Sequence, residues 1–514
     1  MGNEMKKSAS LWRFAWGLVL CIGVVQGMKA QTGISLDADG IMRVGAPITV
    51  VCVGNSITDG YSNTSRDLAW PLQMNKLLGP EYQVVNCGVG GTCLCKNDPA
   101  SYWKKEAFTK AKTANPDILV IAHGTNDAIP ERWDKWGSEF RRDYLDLAAE
   151  FRQNGLSPIL YCALPPPLFS ERRAQQGSYL EEKVIPEVKD VAEELGARAI
   201  DFHTPLAGRE DLFPDGLHPN DLGATRMAEI AGSIIEGQQR LVSHIKVKSG
   251  TVFSPTMVVV EPGSSVELTP VAPTEGTWQW SGPKGFASTK RVLKLRKVKS
   301  GGVYTVRFQG MEGQRCVLRY LVSVRGQKAG TIMPHVVVRG GNWQQLTTLT
   351  VRPGQDVHFG PACSAGNDAG TWTWRGPKGF FAYGRQQSIL AMTPDKAGQY
   401  GVTYTDAHGR QVSAVYTVKV EGEPLCPIPV SHILNGSKWE QTNTMAVKEG
   451  ASVTFGPQPL NGKWSWTGPN GFHSNERQNQ LLDFNAKMAG EYIGTYTNEA
   501  GCSDQVVITL TLAE

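Results

Sequence analysis

The pattern Gly-x-Trp-x-Trp-x-Gly-Pro-x-Gly-Phe occurs three times, beginning at Gly276, Gly370 and Gly462, and its first tryptophans, Trp278, Trp372 and Trp464, are 94 and 92 residues apart. A unit recurring at that spacing is one structural module, and each copy has to bury its own apolar face. Every copy has a glycine turn upstream (Gly263, Gly354, Gly450) and a Gly-x-Tyr downstream, ending at Tyr304, Tyr400 and Tyr492. Short alternating strands between glycine turns predict a small β-sandwich for each copy. The expected modules are 241–326, 327–422 and 423–514, which leaves residues 31–240 to build something different. Residues two apart on a strand share a face, so the paired tryptophans are expected in the cores ahead of stacking on sugar rings.

In residues 31–240 short apolar runs alternate with longer amphipathic stretches. Strands are predicted at 48–53, 83–85, 117–122, 158–162 and 197–200, and helices at 68–78, 102–113, 136–153, 181–195 and 221–239. Near-continuous apolar strands alternating with helices predict an α/β fold: a three-layer α/β/α, flavodoxin-like parallel sheet covered on both faces. Ligands bind beyond the carboxyl ends of such strands.

The segments that follow those strand ends carry the chemistry. Gly54-Asn55-Ser56-Ile57-Thr58 follows the first, and Asp215-Gly216-Leu217-His218-Pro219 comes after the last. A serine hydroxyl needs an imidazole to accept its proton and a carboxylate to orient that imidazole, which makes Ser56, His218 and Asp215 the candidate nucleophile, base and acid. The tetrahedral intermediate also needs hydrogen-bond donors. Asn86-Cys87-Gly88-Val89-Gly90-Gly91-Thr92 offers backbone N–H groups, and Gly124-Thr125-Asn126-Asp127 offers the Asn126 amide.

These four ordered blocks make residues 46–240 resemble the SGNH, or GDSL-type, hydrolases. The resemblance implies Ser56, Asp215 and His218 as catalytic residues. It also implies an oxyanion hole formed by the N–H groups of Ser56 and Gly91 and the side chain of Asn126, with Gly91 preferred over Gly90. Asn55 departs from the family's usual aspartate at a position that is not the nucleophile. The form of the blocks, with Leu164-Pro165-Pro166-Pro167, looks like the carbohydrate acetylesterase branch, which includes sialate and xylan O-acetylesterases. The implied function is removal of acetyl groups from carbohydrate; the alternatives are a lipase or thioesterase acting on longer acyl chains, and a non-catalytic glycan-binding adhesin. The tryptophan and Gly-x-Tyr of the repeats resemble immunoglobulin-like modules with a tyrosine corner, without the usual inter-sheet cysteine pair.

Other chemistries are disfavoured. Ser56 is followed by Ile57-Thr58, not by x-Gly, so the elbow of α/β-hydrolases is not matched. The histidines have no partners at ligand spacing, so no metal is expected, and no other cofactor either. Gly88–Gly91 is not followed by Gly-Lys-Ser/Thr, against a phosphate loop. Tyr61, Trp70, Tyr102, Trp103, Trp133 and Phe169 are candidates to line the substrate pocket, while His123 and His203 are expected to be packed or hydrogen-bonded near strand ends.

Lys6, Lys7 and Arg13 precede an apolar run at 14–25, which reads as a secretory signal peptide over 1–30 cleaved after Ala30. The run is too short for a membrane span, and Leu20 before Cys21 argues against lipid attachment there. The protein is expected to be secreted, periplasmic or at the cell surface, with no integral membrane segment in the mature chain. In such a compartment two of Cys87, Cys93 and Cys95 are candidates to pair, whereas Cys52 and Cys162 read as buried core residues. The formal net charge of +4 conceals −8 over 31–240 and +9 over 241–514. The basic half, densest at Lys290, Arg291, Lys294, Arg296, Lys297 and Lys299, suggests contact with acidic polysaccharide or a cell surface through 241–514, or an ordinary solvated edge strand. No nucleic-acid recognition motif is present.

Overall fold

The computed structural model describes residues 33–513 apart from 153–156, 239–240, 249, 254–255, 312, 368–369, 426–429, 436–437, 458–461 and 499–500. The expected signal peptide and Cys21 lie outside the described residues. Five parallel strands form the first sheet: β1 (Ile48–Gly54), β2 (Tyr82–Gly88), β3 (Ile118–Ala122), β4 (Ile159–Leu164) and β5 (Arg198–Asp201), in the order β2-β1-β3-β4-β5. Central β1 pairs Gly54 with both Gly88 and Ala122, so three strands end level with one another. Helices cover both faces: α1 (Ser56–Asp59), α2 (Trp70–Leu78), α3 (Glu106–Thr113), α4 (Pro130–Glu150), α5 (Ala174–Tyr179), α6 (Ile185–Glu194) and α7 (Asp221–Gln238).

The alternation of side chains along β1 divides two cores. Val50 and Cys52 pack with Trp70, Met74 and Met227 on one face, and Val51 and Val53 pack with Phe140, Tyr144 and Val188 on the other. Helix α4 starts six residues before its predicted start because Pro130 occupies its first position, where a missing N–H costs nothing.

The three repeats are β-sandwiches. In the first, the strand Gly276–Gly282 lies in a five-stranded sheet that faces a four-stranded one, and the third repeats this around Lys463–Thr467; in the second, the five-stranded sheet that holds Gly370–Arg375 is accompanied by a three-stranded and a two-stranded sheet. Trp280, Trp374 and Trp466 are buried. Trp280 and Trp374 each stack on a tyrosine (Tyr320, Tyr416), and their indole N–H groups donate to the carbonyls of Lys290 and Gly384. The other member of each pair meets an aromatic ring of the neighbouring strand, Phe308, Tyr404 or Tyr496. Trp278 is only half-buried, while Trp372 and Trp464 are buried. Tyr400 and Tyr492 each donate to a carbonyl four residues upstream, Lys396 and Met488, as a tyrosine corner does.

The six basic residues 290–299 named above are exposed, around the edge strand Leu293–Leu295. Charge on such an edge blocks pairing with another sheet.

The modules wrap around the first domain. The first module docks at the amino ends of the parallel strands: buried Asp117 accepts from Arg307 at 3.3 Å and is paired with Arg319 at 3.4 Å. Arg319 also donates to the Pro47 carbonyl at 2.8 Å. Residues 33–47 lie on the second module, where Gln399, Thr403, Gln411 and Ser413 hydrogen-bond to the backbone of Ile34, Met42 and Val44. Cys502 is disulfide-bonded.

Trp374→Ala is expected to cost the second module about 3–5 kcal/mol, the range for truncating a buried large aromatic, seen as an earlier unfolding transition in denaturant. Unchanged unfolding with loss of glycan binding would contradict a core role.

Candidate active site

Ser56 opens α1, directly beyond the end of β1. The Asn55 side chain caps this turn by accepting from the Ile57 N–H at 3.0 Å. An amide oxygen serves that cap as well as a carboxylate would, which explains why asparagine is accommodated where aspartate is usual. The turn is pressed against the end of β2. A side chain at Gly88 would put its Cβ 2.3 Å from the Asp59 nitrogen, so only glycine permits the approach. Asn86 fixes the same junction, since its amide donates to the Thr58 carbonyl at 2.7 Å and its oxygen accepts from the Gly88 N–H at 2.9 Å.

The Ser56 hydroxyl donates to His218 Nε2 at 2.9 Å, and His218 Nδ1–H donates to Asp215 Oδ2 at 2.6 Å. The other carboxylate oxygen, Oδ1, accepts from the backbone N–H groups of Leu217 at 3.0 Å and His218 at 2.7 Å. Asp215 therefore folds the loop that carries His218 and also sets its tautomer. Burial works to raise the Asp215 carboxyl, but the hydrogen bond and charge of His218, with those two N–H groups, hold it below the usual carboxylate range.

The other site segments converge on the same edge. Asn126 donates through Nδ2 to the Thr92 carbonyl at 2.9 Å, which ties the loop after β3 to the Gly91 loop after β2. One amide N–H is used there and the second is left. Gly91 has φ 75°, and Gly90 points its hydrogen toward Ser56, whose Cβ is 3.9 Å from an ideal Cβ there. Gln176, unmarked in the sequence reading, is buried and donates to the Thr125 carbonyl at 2.7 Å, holding the Asn126 loop from α5. Nothing local distinguishes Gln176 from other helix glutamines. Asn86 carried a signal, a polar residue closing an apolar strand.

The pocket candidates separate. Tyr61 is exposed and its ring lies 4.8 Å from that of His218. Phe169 is half-buried, packs on Phe213 at 5.2 Å and donates its N–H to the Gly216 carbonyl. Trp70 is a correction: it is fully buried in the core between α2 and the sheet, because α2 presents it inward, and it cannot meet a substrate. Tyr102, likewise fully buried, donates to the Cys87 carbonyl. Trp103 packs on Phe108 and donates to the Leu94 carbonyl, and Trp133 packs on Phe140.

Cys87, Cys93 and Cys95 are all free thiols in the structure, so the pairing entertained among them is not made. Cys93 is contacted by the Arg132 guanidinium and Cys95 donates to the Trp136 carbonyl. Cys52 and Cys162 are buried in strands as expected. His203 meets the Pro165 carbonyl through Nδ1. Among the described residues, no group of three or more His, Cys, Asp or Glu side chains could hold a metal ion.

Residues 52–226 match the model of the GDSL-like Lipase/Acylhydrolase family. That stretch is thus similar to the GDSL-type hydrolases. Over 209 residues the chain is 33% identical to the acetylxylan esterase of Xylanibacter ruminicola, an alignment that spans 37% of this chain and 43% of that protein. The chain thus spans less than half the length of this relative. Among solved structures, the lipase/acylhydrolase from Enterococcus faecalis is 22% identical, with a TM-score of 0.31, over 37% of this chain and 96% of that one. The N-terminal four Ig domains of Dscam1 isoform 6.44 are 14% identical, with a TM-score of 0.17, over 50% of this chain and 71% of theirs.

Behind the site of the parallel-sheet domain, two buried groups titrate abnormally. Burial pushes His123 down to about 3, and among the described residues neither ring nitrogen has a hydrogen-bond partner. Burial pushes Asp127 up to about 6, against the restraining N–H groups of Cys95 and Leu94. The stability contributed by neutral His123 is complete above its ordinary value of 6.5 and is lost as pH falls toward about 3. Asp127 acts in the opposite sense, costing stability as pH rises from 3.8 to about 6. Between about pH 4 and 6 the two slopes oppose each other. His123→Leu is expected to leave the Asp127 slope alone and remove the His123 one, so its urea midpoint should rise relative to that of the wild type on acidification through this window. A difference between variant and wild type that does not change with pH would show that His123 does not contribute to the pH dependence.

Proposed function

We propose that this chain is a carboxylic ester hydrolase that removes short acyl groups, specifically acetyl groups, from carbohydrate. The observation that carries the reading is the continuous hydrogen-bond chain from Ser56 through His218 to Asp215.

In this mechanism Ser56 Oγ attacks the ester carbonyl carbon while His218 Nε2 takes its proton, and Asp215 stabilises the imidazolium. The carbonyl oxygen becomes an oxyanion that accepts hydrogen bonds from the N–H groups of Ser56 and Gly91 and from Asn126 Nδ2. As the intermediate collapses, the bond to the sugar oxygen breaks and His218 returns its proton to that oxygen. Water, deprotonated by His218, then attacks the acetyl-serine, and acetate leaves as Ser56 recovers its proton.

Acetate and carbohydrate are supported by the form of the motifs and by the relative named as an acetylxylan esterase. Secretion through a signal peptide over 1–30 accords with a polymer too large to enter a cell. Among the described residues no helix is long and apolar enough to cross a membrane.

Ser56→Ala is expected to lower kcat on an aryl acetate by about 10⁴-fold or more, and Asn126→Ala by about 10²–10³-fold. Rates on aryl acetate, butyrate and octanoate check both the mechanism and the acyl length. Faster turnover of octanoate would favour a lipase, and absence of Ser56-dependent turnover on all three would favour a glycan-binding protein.

A further inference from the structure

The third sandwich returns to the catalytic edge of the parallel sheet. Arg477, buried and donating to the carbonyls of Gly456 and Pro457, feels the opposite charge of Asp221. Asp221 stands three residues after His218 and is itself held by the Thr64 N–H at 2.9 Å and hydroxyl at 2.6 Å. Thr64 and Asp221 line one cavity together with Trp464, Ser465 and Arg477 of the third sandwich.

A second cleft, of about 930 Å³, lies between the two domains. On the hydrolase side it runs from Ile129, three residues beyond Asn126, to Asp215, three residues before His218. The opposite wall is Ser452, Gln480, Leu482 and Asp483 of the third sandwich.

This volume is near the top of the roughly 300–1,000 Å³ spanned by small-ligand sites, far more than an acetyl group requires. The exposed Gln175 and Gln480 amides supply donors and acceptors together, matching hydroxyls that do both. Phe169 adds an apolar face suited to the C–H groups of a sugar ring. The ionisable side chains are Arg172 and Arg173 against Glu131, Glu210, Asp215 and Asp483, an acidic balance that repels a polymer carrying carboxylates.

We propose that the third sandwich is the far wall of the substrate cleft, and that this cleft holds a neutral polysaccharide chain while an ester on it is presented to Ser56. The inference rests on the esterase reading and adds to it the class of polymer and the part of the chain that grips it.

The test uses the full chain with Leu482→Trp and Gln480→Trp, which narrow the cleft from the third sandwich. Leu482 is 56% exposed, so the added ring does not disturb a core. For long acetylated xylo-oligosaccharides kcat/KM is expected to fall about tenfold relative to aryl acetate, through KM, the scale of losing one good contact. Met311→Lys, at an exposed tip of the first module, should leave that ratio as in the wild type.

An unchanged ratio in both cleft variants would overturn the proposal, as would preferential hydrolysis of acetylated uronic-acid polymers over neutral ones. If the wild type hydrolyses no ester, the esterase reading fails. Calorimetric binding of the same oligosaccharides to the wild type and Leu482→Trp then still decides the cleft: weaker binding in the variant supports it, and equal binding or none overturns it.

Discussion

The parallel register of β1 with β2 and β3 is the constraint on which the rest depends. Gly54 pairs with Gly88 on one side and with Ala122 on the other, so three loops leave the sheet at one level. Those loops carry Ser56, Gly91 and Asn126. A slip of one residue would turn Val50 and Cys52 toward the helices that now cover Val51 and Val53, exchanging the two cores. Two apolar faces therefore hold the register, and the register holds the site.

Upon that frame the polar groups near Ser56 are used in pairs. Asp215 divides its two oxygens between the backbone of its own loop and the ring of His218, so one carboxylate both shapes and orients. Asn86 joins α1 to β2 with both ends of its amide, and Asn126 joins the loops after β2 and β3 with one N–H. The sandwiches extend the same economy outward. The first is clamped at the amino ends of the strands through Asp117, and the third faces the carboxyl ends through Asp221.

The strands, the helices and the order of the four site blocks were legible because they are local. A run such as Ile-Thr-Val-Val-Cys-Val states its own burial, and Asp215-x-x-His218 places acid and base within one turn. The tryptophan pairs were legible for the same reason, since a two-residue spacing fixes a common face. Trp70 misled because proximity in sequence to a catalytic loop says nothing of direction, and α2 turns it inward. Gln176 was silent because its partner, the Thr125 carbonyl, is 51 residues away and imposes no pattern.

By itself the sequence determined two architectures, an α/β sheet followed by three sandwiches, because periodicity and turn residues act over a few neighbours. It also determined which residue types stand at the ends of the strands. Only the tertiary structure decided that Ser56 meets His218 across 162 residues at 2.9 Å. It alone decided that Cys93 and Cys95 remain thiols and that residues 33–47 lie on the second sandwich. It alone brought Gln480 and Leu482 opposite Asp215. Such contacts join surfaces far apart in the chain through single charges and hydrogen bonds, and a scattered set of that kind leaves no period for a sequence to display.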